Sequence, residues 1–217
     1  LANLYLLDFD KEMSAYARSI GGLYLRYSDD ILFVMPGGAQ EGRDARDKAM
    51  VRINAYGDQL QIKPEKTCVV RYWRDPSGGQ FFEHVDGAQE RHGLEYLGFR
   101  FDGRSVYVRD STISGFYRKI AFAARYAAKG HVARYQGWDV KFLIERFDFE
   151  GFTKRFGRVE EFNEDADYRM WTFWTYARRA AETFGTRGLP ILRQLKGHRT
   201  IIRSRVEYEI ARAYAKS

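Results

Sequence analysis

From Leu1 to about Ser19 the apolar residues Leu4, Leu7, Met13 and Tyr16 recur near helical spacing, and the pattern stops before Gly21-Gly22. The period then changes. Leu23–Tyr27 and Ile31–Met35 are apolar runs rich in strand formers, separated by Ser28-Asp29-Asp30 and closed by Pro36-Gly37-Gly38, which predicts a β-hairpin with acids at its tip. From Arg43 to Leu60, Ala45, Ala49, Ile53, Tyr56 and Leu60 return every three or four residues, the stripe of a helix packed on a sheet. Thr67–Trp73 reads as a strand, and Asp75–His92, with Pro76, Gly78, Gly79 and Gly87, as a loop. Leu94–Phe101 and Val106–Val108 read as a hairpin around Asp102-Gly103.

Beyond Arg109 the strand signals cease. Ser111-Thr112 offers caps for a helix carrying Ile113, Phe116, Ile120 and Ala124, with Gly130 as its end. Asn163 or Asp165 is placed to cap a second helix through Met170, Trp174, Ala177 and Ala181, stopped by Gly185. Pro190 suits the first turn of a third, with Ile191, Leu195, Ile202, Val206 and Ile210 on one side and Arg193, Lys196, Arg199, Arg203 and Arg205 among the other positions. The expected fold class is α+β. An antiparallel sheet with packed helices fills residues 1–108, and an all-helical domain fills 109–217.

Charge reinforces that division. Residues 1–108 hold 14 Lys/Arg against 16 Asp/Glu and residues 109–217 hold 22 against 13, so the halves carry −2 and +9. Such asymmetry points to a polyanion held mainly by the second half, although a basic face also serves plain solubility. With 217 residues and 45% apolar content the chain can bury a proper core. No uninterrupted apolar run is longer than that of Ile31–Met35, far short of the roughly 20 residues that span a bilayer. The single cysteine, Cys68, forms no internal disulfide, which agrees with a reducing, cytoplasmic setting. Leu1 stands inside a pattern already helical, so an upstream segment is expected.

Adjacent carboxylates at the tip of an apolar hairpin repel one another, and the turn lacks the Asn-Gly or Asp-Gly of a plain two-residue connection. A hard divalent cation takes such oxygens readily, and two ions about 3.5–4 Å apart serve phosphoryl transfer. Against this stands the ordinary abundance of Asp in turns.

Tyr27-Ser28-Asp29-Asp30 between apolar strands resembles the Tyr-x-Asp-Asp motif of reverse transcriptases. Leu1-Ala2-Asn3-Leu4-Tyr5-Leu6 resembles the tail of the preceding motif in bacterial members, Lys63-Pro64-Glu65-Lys66-Thr67 the lysine-bearing turn, and Glu95-Tyr96-Leu97-Gly98-Phe99 the primer-gripping hairpin. The resemblance spans residues 1–101 in order. It implies a partial polymerase palm followed by a basic helical thumb. It implies Asp29 as principal ligand of two Mg²⁺ ions, with Mn²⁺ as a substitute, and Asp30 as its partner. Tyr27 would line the site, Lys66 would lie near the triphosphate, and Leu97, Gly98 and Phe99 would support the primer. Arg193, Lys196, Arg199, Arg203 and Arg205 would meet phosphates of an RNA template and a DNA primer or product.

The implied activity is RNA-directed DNA synthesis from deoxynucleoside triphosphates. The motifs are closest in style to group II intron, retron and phage-defence members, which brings antiviral defence into view. The family's other metal-binding aspartate and its fingers have no counterpart in residues 1–217, so they are expected from the same polypeptide or a second chain. A template-independent terminal transferase and an inactive nucleic-acid-binding assembly module are the alternatives. Trp171, Phe173, Trp174 and Tyr176 are expected in the core of the helical half. His84, His92, His131 and His198 are scattered, and only His198, beside Arg199, is a candidate phosphate contact.

Overall fold

In the computed structural model, which describes residues 2–57, 59–88, 93–156 and 172–216, the opening helical pattern divides into α1 (Ala2–Tyr5) and α2 (Leu7–Ser19). The buried row of α2 is Phe9, Met13 and Ala17, each four residues from the next, whereas Leu4 and Leu7 are exposed. The row containing the phenylalanine wins because Phe9 meets the rings of Tyr24 and Tyr56 edge-on.

The chain is mixed α+β with small antiparallel sheets, and it divides into two compact units, Leu1–Arg104 and Ser105–Ser217. In the first unit, β1 (Leu23–Tyr27) pairs antiparallel with β2 (Asp30–Val34). Strand alternation turns Tyr24, Ile31 and Phe33 toward Phe9 and Met13 of α2 and toward Ala49 and Ile53 of α3 (Ala39–Ile53), which together form the core of the unit. Helix α3 starts earlier than its apolar stripe implies, because the Glu41 carboxylate accepts the Gly38 N–H at 2.8 Å and caps the first turn.

The stretch 75–92, read from its prolines and glycines as a loop, contains a strand. β3 (Cys68–Arg74) pairs antiparallel with β4 (Gln80–Gly87), with a bulge at Val69/Val70. The turn signals are real but local: Asp75 accepts from the Gly79 N–H and the Ser77 hydroxyl and closes the connection between the strands. Arg46 of α3 reaches Asp86 of β4 at 2.6 Å, tying this ribbon to the helix. A third hairpin joins β5 (Leu94–Tyr96) to β6 (Phe99–Phe101). The Tyr72 hydroxyl donates to the Phe101 carbonyl and accepts from the Leu94 N–H, and burial pushes its pKa up to about 12.

The second unit opens with β7 (Val106–Val108), which the change of period at residue 109 had left with the first half. Gln194 of α8 (Leu189–Gln194) accepts from the Val108 N–H at 2.9 Å and donates to its carbonyl at 3.0 Å. Helix α4 (Asp110–Arg134) runs through Gly130 rather than ending there, because Phe116, Ile120, Ala124, Ala128 and Val132 continue one buried stripe beyond it. A Cβ at Gly130 meets no atom within 4 Å. Gly130→Ala is therefore expected to stabilise the protein by about 0.5–1 kcal/mol, measured as a shift in denaturation midpoint at constant slope. A destabilised variant would mean that Gly130 serves something other than the helix.

Helices α5 (Val140–Arg146) and α6 (Phe149–Lys154) follow, each capped by an aspartate, Asp139 on the Phe142 N–H and Asp148 on the Gly151 N–H. The proposed caps Asn163 and Asp165, with Met170 and Trp171, lie outside the described residues. Helix α7 (Phe173–Phe184) begins at a Thr172 cap and stops at Gly185. The expected third helix is two, α8 and α9 (His198–Tyr214), because Gly197 at φ 81° turns the chain between them. Their core residues are Ile191, Leu195, Ile202, Val206 and Ile210, all buried.

His198 is no surface phosphate contact: it is buried, lies on the Phe116 ring, and its Nε2 meets the Phe156 carbonyl at 2.9 Å. Burial holds its imidazole below the ordinary value of 6.5, with the Phe156 hydrogen bond opposing. Between that depressed value and 6.5 the unfolded chain binds a proton that the folded chain refuses, so stability rises with pH across this window. Melting temperatures are therefore expected to fall from pH about 7 to about 5, and His198→Leu is expected to flatten that slope. An identical slope in the variant would assign the acid sensitivity to other groups.

Candidate active site

The connection between β1 and β2 has two residues, Ser28 and Asp29, because Asp30 already pairs with Tyr27 as the last rung of the ladder. The tip is therefore tighter than the three-residue separation read from the sequence. Ser28 takes φ 57°, the left-handed value that a type II′ turn demands at its first central position. Asp29 and Asp30 are both exposed, adjacent along the chain, and turned away from the core of the unit.

What fixes this turn is Arg26, a residue whose role the sequence pattern had not revealed. Its guanidinium grips Asp10 of α2 through two bonds of 2.7 Å and donates a third, of 2.6 Å, to the Ser28 carbonyl. Tyr24 donates its hydroxyl to the same Asp10 oxygen at 2.7 Å. The Arg26 side chain is only 6% exposed. The hydrogen bond from Arg26 holds the Asp10 carboxyl below its usual range despite partial burial, and Asp10 in turn raises Arg26. Burial, then the bond to Asp10, pushes the Tyr24 phenol up. The signal was present: Arg26 occupies an inward position of an alternating strand, where a cation requires a partner.

The outward positions of the same hairpin are Leu23, Leu25, Tyr27, Asp30, Leu32 and Val34. Tyr27 is 68% exposed, so it stands on this open face across from Asp30 rather than in the core. In the third hairpin, Leu97 and Gly98 take φ 48° and 81°, the two left-handed residues of a type I′ turn, and Phe99 begins β6. A leucine in that conformation costs about 1–2 kcal/mol, and the turn nonetheless presents Leu97 to solvent. Tyr96, next to this turn, has its phenol raised first by burial and second by the Asp30 carboxylate.

Lys66 ends the exposed 3₁₀ turn Pro64–Lys66. Among the described residues no hydrogen bond or ion pair joins it to Asp29 or Asp30. The basic residues expected on one helix are distributed over α8, the turn after it and α9. Arg193 and Lys196 precede Gly197, and Arg199, Arg203 and Arg205 follow it, because the glycine breaks the helix. Arg203 pairs with Glu207 at 2.9 Å and covers the Phe149 ring, and Arg205 pairs with the buried Glu209 at 2.8 Å. Phe173 stacks on Phe116 with ring centroids 4.2 Å apart, while Tyr176 is partly exposed. His84 and His131 contact the Ala88 and Leu143 carbonyls, and His92 lies outside the described residues.

Asp29 and Asp30 offer hard oxygen donors suited to Mg²⁺, which commonly takes one or two carboxylates and completes its shell with waters and substrate phosphates. Among the described residues no third carboxylate, histidine or cysteine joins them in a metal-binding group. No family model matches the chain, and a comparison with curated proteins finds no match.

Proposed function

We propose that the first unit is the later part of a reverse-transcriptase palm, that the second is its basic helical thumb, and that the protein extends a nucleic-acid 3′ end with deoxynucleotides. The observation that carries this reading is the exposed Asp29–Asp30 pair on a two-residue turn braced by Arg26 and Asp10. A loose acidic turn needs no buried guanidinium. A turn that must present carboxylate oxygens at a fixed height does, because phosphoryl transfer depends on positioning within a fraction of an ångström.

Divalent ions, when bound, would lower the pKa of the attacking 3′-hydroxyl and neutralise charge on the leaving pyrophosphate. Asp29 and Asp30 would hold them. Arg26 keeps the turn in register and stays out of the reaction, since its donors are committed to Asp10 and Ser28. Tyr27 offers a ring beside Asp30 for a sugar or base, Leu97 at its strained turn offers an apolar support for the primer end, and Lys66 supplies a cation for the triphosphate. A further carboxylate and a nucleotide-binding subdomain would come from more of the polypeptide or from a second chain.

The test is primer extension by the full-length polypeptide with labelled deoxynucleotides and Mg²⁺ on a primed RNA, followed by sequencing of the product. A product complementary to the template is the expected result. A repetitive product unrelated to it would replace templated synthesis with terminal transfer, and no product at all would remove the polymerase reading. Residues 1–217 alone are expected to extend nothing.

A further inference from the structure

Helix α4 buries one face in the core of the second unit and leaves large rings uncovered on the other. Phe116, Ile120, Ala124, Ala128 and Val132 turn inward and share a core with Ile202, Val206 and Ile210 of α9. On the opposite side stand Phe122 and Tyr126, 73% and 79% exposed and one helical turn apart. The row that contains them runs Gly115, Lys119, Phe122, Tyr126, Lys129 and Ala133, in alternating steps of four and three residues. That is the spacing by which one helix presents a continuous seam to another.

The glycines of α4 belong to the same side. A Cβ at Gly130 would meet nothing within 4 Å, and one at Gly115 would meet only the end of the Arg118 side chain at 4.0 Å. No contact within the described chain demands either glycine, although each weakens the helix relative to alanine. Small residues beside large ones do let a second helix approach closely. The charge of the face has one sign: Arg118, Lys119, Arg125, Lys129 and Arg134 lie in or beside the row, and α4 holds no acid after Asp110. Among the described residues only Arg125 of these five meets a carboxylate, that of Glu209 at 3.7 Å. A second copy of the chain is therefore a poor occupant. Antiparallel pairing about the two rings would set Lys119 against Lys129, and parallel pairing would set each lysine against itself.

We propose that this outer face of α4 docks an amphipathic helix of a partner protein, one with two apolar residues a turn apart and a carboxylate a further turn away on either side. The apolar pair covers Phe122 and Tyr126, the carboxylates meet Lys119 and Lys129, and Gly115, Gly130 and Ala133 give the partner's backbone room at the ends. A nucleic acid would use the cations, and unstacked bases the rings, but neither gives a reason for the small residues of the same face. The assignment does not depend on the acidic turn being a polymerase site.

Fluorescence anisotropy tests it on the full-length protein with a labelled helical peptide that carries two leucines a turn apart and a glutamate one turn beyond each, and with a counterpart in which lysines replace the glutamates. The acidic peptide is expected to bind and the basic one is not. Phe122→Ala/Tyr126→Ala is expected to weaken binding by about tenfold or more, since central aromatic anchors dominate such interfaces. Lys119→Glu/Lys129→Glu is expected to exchange the preference, so that the basic peptide binds instead. These positions are exposed, so the melting temperatures of both variants should match that of the unaltered protein. Asp29→Asn protein should bind the acidic peptide as the unaltered protein does, so failure of the polymerase reading leaves this one standing. Binding of neither peptide, acidic-peptide binding that survives the ring substitutions, or an unchanged preference after charge reversal would overturn the assignment. So would a face that takes oligo(dT) alone, or dimerisation in sedimentation that the ring substitutions abolish.

Discussion

Asp29→Asn is expected to reduce deoxynucleotide incorporation by about 10³-fold or more, since loss of metal-borne charge stabilisation costs several kcal/mol and each 1.36 kcal/mol is tenfold in rate. The substitution preserves size and polarity and removes only the anionic oxygen. Asp29 is exposed on a two-residue turn, so the fold has little to lose. Stability is expected to stay within about 0.5 kcal/mol, or to rise slightly as repulsion from Asp30 is relieved. Incorporation assays and melting curves on the same preparation check both halves of the expectation. An active variant would take Asp29 out of the chemistry, and an unfolded one would make it structural.

The hairpin that carries Asp29 was legible because strand alternation and a short polar break are local signals, written over a dozen residues. Its brace was not. The Arg26 guanidinium and the Asp10 carboxylate stand on a strand and a helix separated by a glycine turn, and only the packing of α2 under β1 brings them together. Errors elsewhere share that cause. Gly130 looked like a helix stop, but the buried stripe of α4 continues past it and outweighs a local cost of about 1 kcal/mol. Residues 80–87 looked like loop beside Pro76, Gly78 and Gly79, but pairing with β3 made them strand. The opposite happened at Gly197, where apolar spacing persisted across a left-handed residue and one helix became two. Local patterns define elements well where nothing distant competes. At sites of function and at element ends, something distant usually does.

Asp10→Ala is expected to destabilise the first unit by about 3 kcal/mol, because it strands a nearly buried guanidinium without its anion. Arg26→Leu should cost less, since the Asp10 carboxylate is the more exposed partner and water can reach it. Replacing the pair by Asp10→Ala/Arg26→Leu should recover most of the lost stability, as apolar substitutes for buried ion pairs often do. Activity should not follow. The Ser28 carbonyl loses the Arg26 guanidinium donor in the double variant, so the turn bearing Asp29 loosens and incorporation stays low while the fold is sound. Acid gives an independent readout: the depressed Asp10 carboxyl contributes stability that is complete above its ordinary value of 3.8 and is lost as pH falls through the folded value. The single Asp10→Ala variant should lack that part of the acid transition. Denaturant curves for the four proteins of the cycle, each paired with a primer-extension rate, decide between two roles for the clamp. If the double variant regains both stability and full activity, Arg26 is a fold element and the acidic turn positions itself.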